Sequence, residues 1–422
     1  MTTTTPRSAR RERTFFSDAE AALALLTLFL IGARIFLGSG VSIGQILALA
    51  LLPLWLPRLV SSWTGLWLAI SAAFATISGI WLTAVASQDH DSSTSTLIAT
   101  TLLFLSVPMI AGIVVWAQRF VPLWVIGVTF GLGMVAAAVM RPSTFAENPW
   151  KFAVGLPIAV IALSITMRPH KRLPDMLALA ALALVSVIMD SRAFFGVFTI
   201  VLLLLVWQAM PRISNKRMSA AKVLVWAAAI GVTVYVIGTS LLVEGYLGQE
   251  AQARSVEQQE RAGSVLVGGR PELAATAALF LHRPLGFGAG TIASPSDILV
   301  AKSGMQVINY DPNNGYVENF MFGPTKFELH SMTGDLWAYF GWPAVIFLAI
   351  AVVVMIRRVA VELARGTATA LLLFAVIITA WNLFFNPIYS SAPFFGLALG
   401  LALAGPHLRS EESTWREAVF RR

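Results

Sequence analysis

Apolar residues run almost unbroken through twelve stretches of this chain, near 19–37, 41–59, 65–86, 97–117, 121–140, 151–167, 176–190, 193–210, 223–243, 333–356, 367–386 and 388–404. Each approaches the roughly 20 residues that a helix needs to cross a hydrocarbon core about 30 Å thick. A barrel strand would alternate apolar and polar positions every second residue, and these stretches do not. The pattern predicts an all-α polytopic membrane protein of about twelve transmembrane helices. The run 176–210 is divided only by "DSR" at 190–192. Two short spans suit a bilayer better there than one of about 35 residues.

Residues 244–332 break the pattern and form the one sizeable soluble-like region. Its first part, "QEAQARSVEQQERA", is polar and helix-prone, with Arg254, Glu257, Glu260 and Arg261 spaced for pairing along a helix. In "GGRPELAATAALFLHRPLGFGAG", Pro271 stands where a first helical turn accepts proline, and the apolar run 273–281 is too short to span. A helix lying at the membrane surface is predicted. "NYDPNNGYVENFMFGPTKF" is rich in turn formers. The predicted organisation is a basic tail 1–18, helices over 19–243, a large and partly helical loop 244–332, helices over 333–404 and a second basic tail 405–422.

Composition agrees with the pattern. The 422 residues are 57% hydrophobic and only 12% charged, against about 25% charged in soluble domains, and mean hydropathy is +0.74. A net charge of +8 would suit nucleic acid, but the cations lie in short loops beside the spans, where they report orientation. With the N-terminus inside, 20 of the 30 Lys and Arg residues fall on the cytoplasmic side, and 244–332 becomes external. The segment 19–37 lacks a small-residue cleavage site, so an uncleaved first span is expected rather than a signal peptide. With no cysteine, disulfides, thiolate metal sites and a cysteine nucleophile are excluded.

Ionisable residues at membrane depth are expensive and are functional candidates by default. Three stand out on the external side: Arg192 at the outer end of the eighth span, Arg270 before the surface helix, and His330 at the mouth of the tenth. Arg34, near the outer end of the first span, is a secondary candidate. Arginine grips phosphate oxygens through a permanently charged planar fork. An imidazole, titrating near neutrality, can take a proton from an attacking hydroxyl. Two arginines and a histidine in one external cavity would suit glycosyl transfer from a lipid diphosphate.

At these residues the chain resembles the bacterial O-antigen ligase and polymerase superfamily. His330-Ser331, followed after nine residues by Gly341, is similar to the ligase histidine motif at the end of the large periplasmic loop. The segment from Arg270 through a short helix to Pro284, Gly286, Gly288 and Gly290 is similar to the loop-arginine segment, and "DSRAFFG", with Ser191 and Arg192, to the Ser-Arg start of a span. Leu273 comes three rather than four residues after Arg270, and Ala344 stands where ligases prefer Gly, Thr or Tyr, so ligase and polymerase both remain open.

The resemblance implies en bloc transfer of a glycan from an undecaprenyl-diphosphate carrier at the external face of a bacterial inner membrane, without metal or cofactor. The acceptor would be a glycan, a lipid or a cell-wall polymer, and no nucleic-acid partner is implied. Arg192 and Arg270, with Arg34 in support, would hold the diphosphate, and His330 would activate the acceptor hydroxyl.

Three other features have plainer readings. Asp89-His90-Asp91 has the look of a divalent-cation pair, but a solvated loop is expected, as it is for the charges Arg254, Arg261, Arg283 and Lys326. "GFGAG" follows no strand and opens no long helix, so it reads as a tight bend rather than a dinucleotide fingerprint. A transporter of a similar glycan would carry charges through several spans and a repeat of spans, and neither is visible.

Overall fold

The computed structural model describes residues 7–38, 40–167, 172–210, 219–246, 248–323 and 327–404. The basic stretches expected within 1–6, 168–171, 211–218 and 405–422, and Lys326, lie outside the described residues. Among the described residues the chain is helical, with two isolated β-bridges and no strand.

The first half comprises α1 (Arg7–Ala33), α2 (Ile43–Ala50), α3 (Leu52–Leu59), α4 (Trp63–Ala86), α5 (Thr94–Ala117), α6 (Leu123–Val139), α7 (Gly155–Ile165), α8 (Leu173–Ile188), α9 (Arg192–Ala209) and α10 (Ala220–Val243). Serines start four of these: Ser42, Ser62, Ser93 and Ser219 each accept a hydrogen bond from the backbone N–H three residues on, satisfying an otherwise orphaned donor. A π turn over Trp150–Val154 leads into α7. The stretch 41–59, expected as one span, is two short helices. Pro53, in the first turn of α3, lacks the N–H that a continuous helix would need there.

The loop 244–332 is mostly helical: α11 (Gln249–Ala262), α12 (Val265–Gly268), α13 (Glu272–His282) and α14 (Pro295–Gln306), then a π turn over Val317–Met321. The two helices expected from the sequence correspond to α11 and α13; α14 was not expected. Beyond the loop come α15 (Met332–Phe340), α16 (Trp342–Arg365), α17 (Ala370–Phe385) and α18 (Ile388–Leu403). The tenth apolar stretch is thus also broken. Gly341, at φ 66° and ψ −159°, turns the chain between α15 and α16 in a conformation that side-chain-bearing residues rarely adopt.

Five helices (α4, α5, α9, α10 and α16) are long and apolar enough to cross a membrane. The core centres on α5, α17 and α18, with α5 packed most extensively against α18 and α1 against α6. α10 is the opposite case: Val225 is 69% exposed, Val232 61% and Ile237 55%, on an apolar helix. So large an apolar surface suits lipid, since water would penalise it.

Candidate active site

His330 is held from both sides by its neighbours. Ser331 caps α15, accepting from the Gly334 N–H at 3.2 Å and donating its hydroxyl to the Leu383 carbonyl at 2.8 Å. Asp335, fully buried, accepts from the Leu329 N–H at 2.6 Å and from the Ile388 N–H at 2.8 Å. Between these anchors His330 adopts φ 53°. Its half-buried ring stacks on Phe320 with centroids 3.9 Å apart, and Nδ1 stands 3.4 Å from the Glu328 carbonyl. A proton on Nδ1 facing that carbonyl leaves the lone pair on Nε2.

Four non-glycine residues among those described have positive φ: Arg34 (51°), Asp190 (45°), Asn309 (56°) and His330 (53°). Such conformations cost on the order of 1–3 kcal/mol and persist where surrounding contacts impose them. Two of the four are candidate site residues, and Asp190 is the ion-pair partner of a third, Arg192.

Arg270 precedes α13 and lies partly buried, 3.5 Å from the Glu272 carboxylate, with its guanidinium over the Phe385 ring at 5.5 Å. Glu272 is only 2% exposed, and burial pushes its carboxyl above the usual range against the opposing pull of its hydrogen bonds and of Arg270. Tyr316 also interacts with Glu272, and burial and that carboxylate's charge together push its phenol up. The Tyr316 ring meets Phe320 at 4.7 Å, and Phe320 carries His330. Arg270 and His330 are therefore linked through Glu272, Tyr316 and Phe320, and the last turn of α17 serves both segments, Leu383 anchoring Ser331 and Phe385 underlying Arg270.

Arg192 opens α9, with Nε 3.5 Å from Asp190 and a hydrogen bond of 3.4 Å to the buried Ser255 of α11. Arg254 shares Asp190 at 3.5 Å rather than standing alone in solvent. Ser191 is buried and places Arg192 through its backbone, its N–H donating to the Ser186 carbonyl at 2.8 Å. Lys151, in the π turn before α7, interacts electrostatically with both Arg270 and Arg192. Three cations thus share one region. Sequence reasoning missed Lys151, whose only signal is a cation opening an apolar stretch.

The glycine motif is structural. The Phe287 and Gly288 N–H groups donate to the Ala338 carbonyl at 2.7 and 3.0 Å, and the Gly290 N–H donates to Thr83 Oγ1 at 3.0 Å. The Trp337 indole donates to the Pro284 carbonyl at 3.0 Å, and the Gly286 N–H to Arg283 at 3.0 Å. Gly288, at φ 111°, lies so close to α4 that a Cβ would stand 2.4 Å from the Thr83 nitrogen. These N–H groups are spent on tying the loop to α4 and α15. They form no phosphate cradle.

The "DHD" segment is more ordered than a solvated loop. The His90 Nδ1 meets Asp89 at 2.7 Å and its Nε2 meets the fully buried Asp297 at 2.8 Å, while Arg283 pairs with Asp89 at 2.9 Å. The hydrogen bond from His90, helped by Arg283, holds the Asp89 carboxyl below its usual range. Arg283 fills the cationic role here, and among the described residues no three His, Asp or Glu groups are arranged to hold a metal ion. Arg261 pairs with Glu257 along α11, as its helical spacing predicted, and also lies over the Tyr310 ring.

Arg34 occupies a different place from Arg192 and Arg270. Its guanidinium lies over Tyr389 at 4.4 Å, and its Nη2 is buried without a hydrogen-bond partner among the described residues. It lines a cavity of about 620 Å³ together with Tyr389, Tyr339 and Glu328. One short corner between α17 and α18 therefore touches all these groups: Leu383 holds Ser331, Phe385 carries Arg270, Ile388 binds Asp335 and Tyr389 supports Arg34. The sequence signal for it was "FFNPIYS", an Asn-Pro turn between aromatics.

No protein-family model, curated protein or solved structure matches this chain.

Proposed function

We propose that this chain is a twelve-span glycosyltransferase of the O-antigen ligase or polymerase type, in the inner membrane of a bacterium, with both termini cytoplasmic and 244–332 on the periplasmic side. The observation that carries the reading is that the His330 segment, through Ser331, and Arg270 both rest on the last turn of α17, at Leu383 and Phe385. It is supported by Lys151, which lies in electrostatic range of both Arg192 and Arg270.

In this reading the donor's lipid tail stays in the outer leaflet and its diphosphate rests among Arg192, Arg270 and Lys151. His330 takes the proton of the acceptor hydroxyl as that oxygen bonds to the anomeric carbon. The bond from that carbon to the diphosphate oxygen breaks on the opposite face, and the leaving group keeps the electron pair, which the cations stabilise. One displacement of this kind inverts the anomeric centre. No carboxylate nucleophile or metal ion is required.

Purified protein in nanodiscs, given a lipid-diphosphate glycan, tests the reading. Wild type is expected to release lipid diphosphate and elongate or transfer the glycan with EDTA present, while His330→Ala and Arg270→Ala fold but fail; the product's mass separates ligase from polymerase. Full activity in His330→Ala, or abolition by EDTA, refutes it, and glycan that crosses the bilayer unchanged identifies a transporter.

A further inference from the structure

Arg34 and Arg270 rest on different residues of the α17–α18 corner: Tyr389 carries one guanidinium and Phe385 the other. The cavity that Arg34 lines includes neither Arg192 nor Arg270. Its size, about 620 Å³, falls within the roughly 300–1,000 Å³ of small-molecule sites. The walls mix aromatic faces, Tyr339 and Tyr389, with the hydroxyl groups of Thr96 and Thr100. Arg34 Nη2 is a buried donor with no hydrogen-bond partner among the described residues, an arrangement that costs free energy until a ligand oxygen meets it.

The charge of the cavity narrows the ligand. Arg34 faces it as a cation and Glu328 as an acidic group on the same lining. A ligand with one anionic group would place that group on Arg34 and its hydroxyls toward Glu328 and the threonines, whereas a diphosphate would bring a second anionic group toward the carboxylate. Glu328 stands two residues before His330, whose Nδ1 lies 3.4 Å from the Glu328 carbonyl, so the lining ends next to the imidazole without including it. We propose that this cavity is the acceptor subsite and that the acceptor is an oxyanion-bearing saccharide, a sugar phosphate or a uronic acid, held by Arg34 with a hydroxyl directed to His330. The assignment of the cavity to the acceptor rests on the transferase reading; the ligand class rests on the cavity alone.

The test is binding, measured by thermal stabilisation of the full chain in nanodiscs with glucuronate, glucose 6-phosphate, glucose and inorganic pyrophosphate as probes. Both anionic sugars are expected to stabilise wild type and glucose to do so far less. Arg34→Gln is expected to weaken the anionic sugars about tenfold or more, Arg34→Lys to restore part of the loss, and Arg192→Gln to leave their binding unchanged. Thr100→Val, which removes one wall hydroxyl, provides a second probe should Arg34→Gln not fold, and is expected to weaken the sugars without affecting pyrophosphate. The proposal is overturned if neither anionic sugar binds wild type, if neither the Arg34 nor the Thr100 variant weakens them, or if pyrophosphate alone depends on Arg34. If these sugars bind through Arg34 but no glycan is transferred, the transferase reading fails and the site remains.

Discussion

Asp335 and Ile388 stand 53 positions apart and are joined by a 2.8 Å hydrogen bond from the Ile388 N–H to the buried carboxylate, whose other oxygen takes the Leu329 N–H at 2.6 Å. This one side chain ties the segment carrying His330 to the corner that supports Arg270 and Arg34. Asp335→Asn keeps the shape but turns an amide donor toward one of two N–H groups. A stability loss of about 1.5–3 kcal/mol is expected in denaturant unfolding, with turnover falling as His330 loses its position. Unchanged unfolding would show that the clasp contributes nothing.

His330→Ala is expected to lower turnover about 10²–10⁴-fold, the usual contribution of a positioned general base, while costing about 1–3 kcal/mol of stability, because the stacking on Phe320 is lost and alanine is no easier to hold at φ 53°. Rate against pH checks the role: the acidic limb of the wild-type profile should vanish in the variant.

Glu272 gives a pH dependence whose sign follows from its burial. Its folded carboxyl titrates above the ordinary 4.5, so the folded state binds the extra proton. Stability from this group is therefore greatest below 4.5 and declines as pH rises through the elevated value. Glu272→Gln should flatten that decline, gaining melting temperature relative to wild type between pH 4.5 and 8. A gap that narrows as pH rises contradicts the assignment.

The clasp at Asp89 has the opposite sign. Its carboxyl is held below 3.8, so the stability it contributes is present above that value and is lost as pH falls through the depressed one. His90→Ala removes a hydrogen bond from the fully buried Asp297 and should cost about 1.5–3 kcal/mol. Because the clasp joins the α4–α5 loop to the first turn of α14, hydrogen exchange should rise at 87–93 and 291–297 together.

Gly288→Ala tests the structural reading of the glycine bend. The added methyl would fall 2.4 Å from the Thr83 nitrogen, at a φ of 111°. A loss of roughly 1–3 kcal/mol is expected from the overpacking alone, with pyrophosphate binding unchanged in any protein that folds. Weaker pyrophosphate binding without destabilisation would make the bend a phosphate site after all.

The sequence by itself determined where helices form and which are apolar enough for lipid, because hydrophobic run length and capping serines are local properties. All twelve apolar stretches are helical over most of their length, and the short helices at 249–262 and 272–282 follow from the same local rules. It also singled out Arg34, Arg192, Arg270 and His330, since a charge beside an apolar run is visible in one dimension. The breaks at Pro53 and Gly341 were equally local but were masked by the hydrophobic residues around them.

Only the tertiary structure decided what these residues do to one another. Glu328 and Asp335 flank His330 alike in sequence, yet one lines a cavity and the other clasps two backbone segments. Arg34 and Arg270 are both arginines beside apolar runs, yet Arg34 lies over Tyr389 and lines a cavity while Arg270 lies over Phe385 and pairs with Glu272. The reason is physical: a charged side chain in a buried or half-buried place takes its role from its partners, and those partners come from helices distant in sequence, brought together by packing that no local pattern encodes.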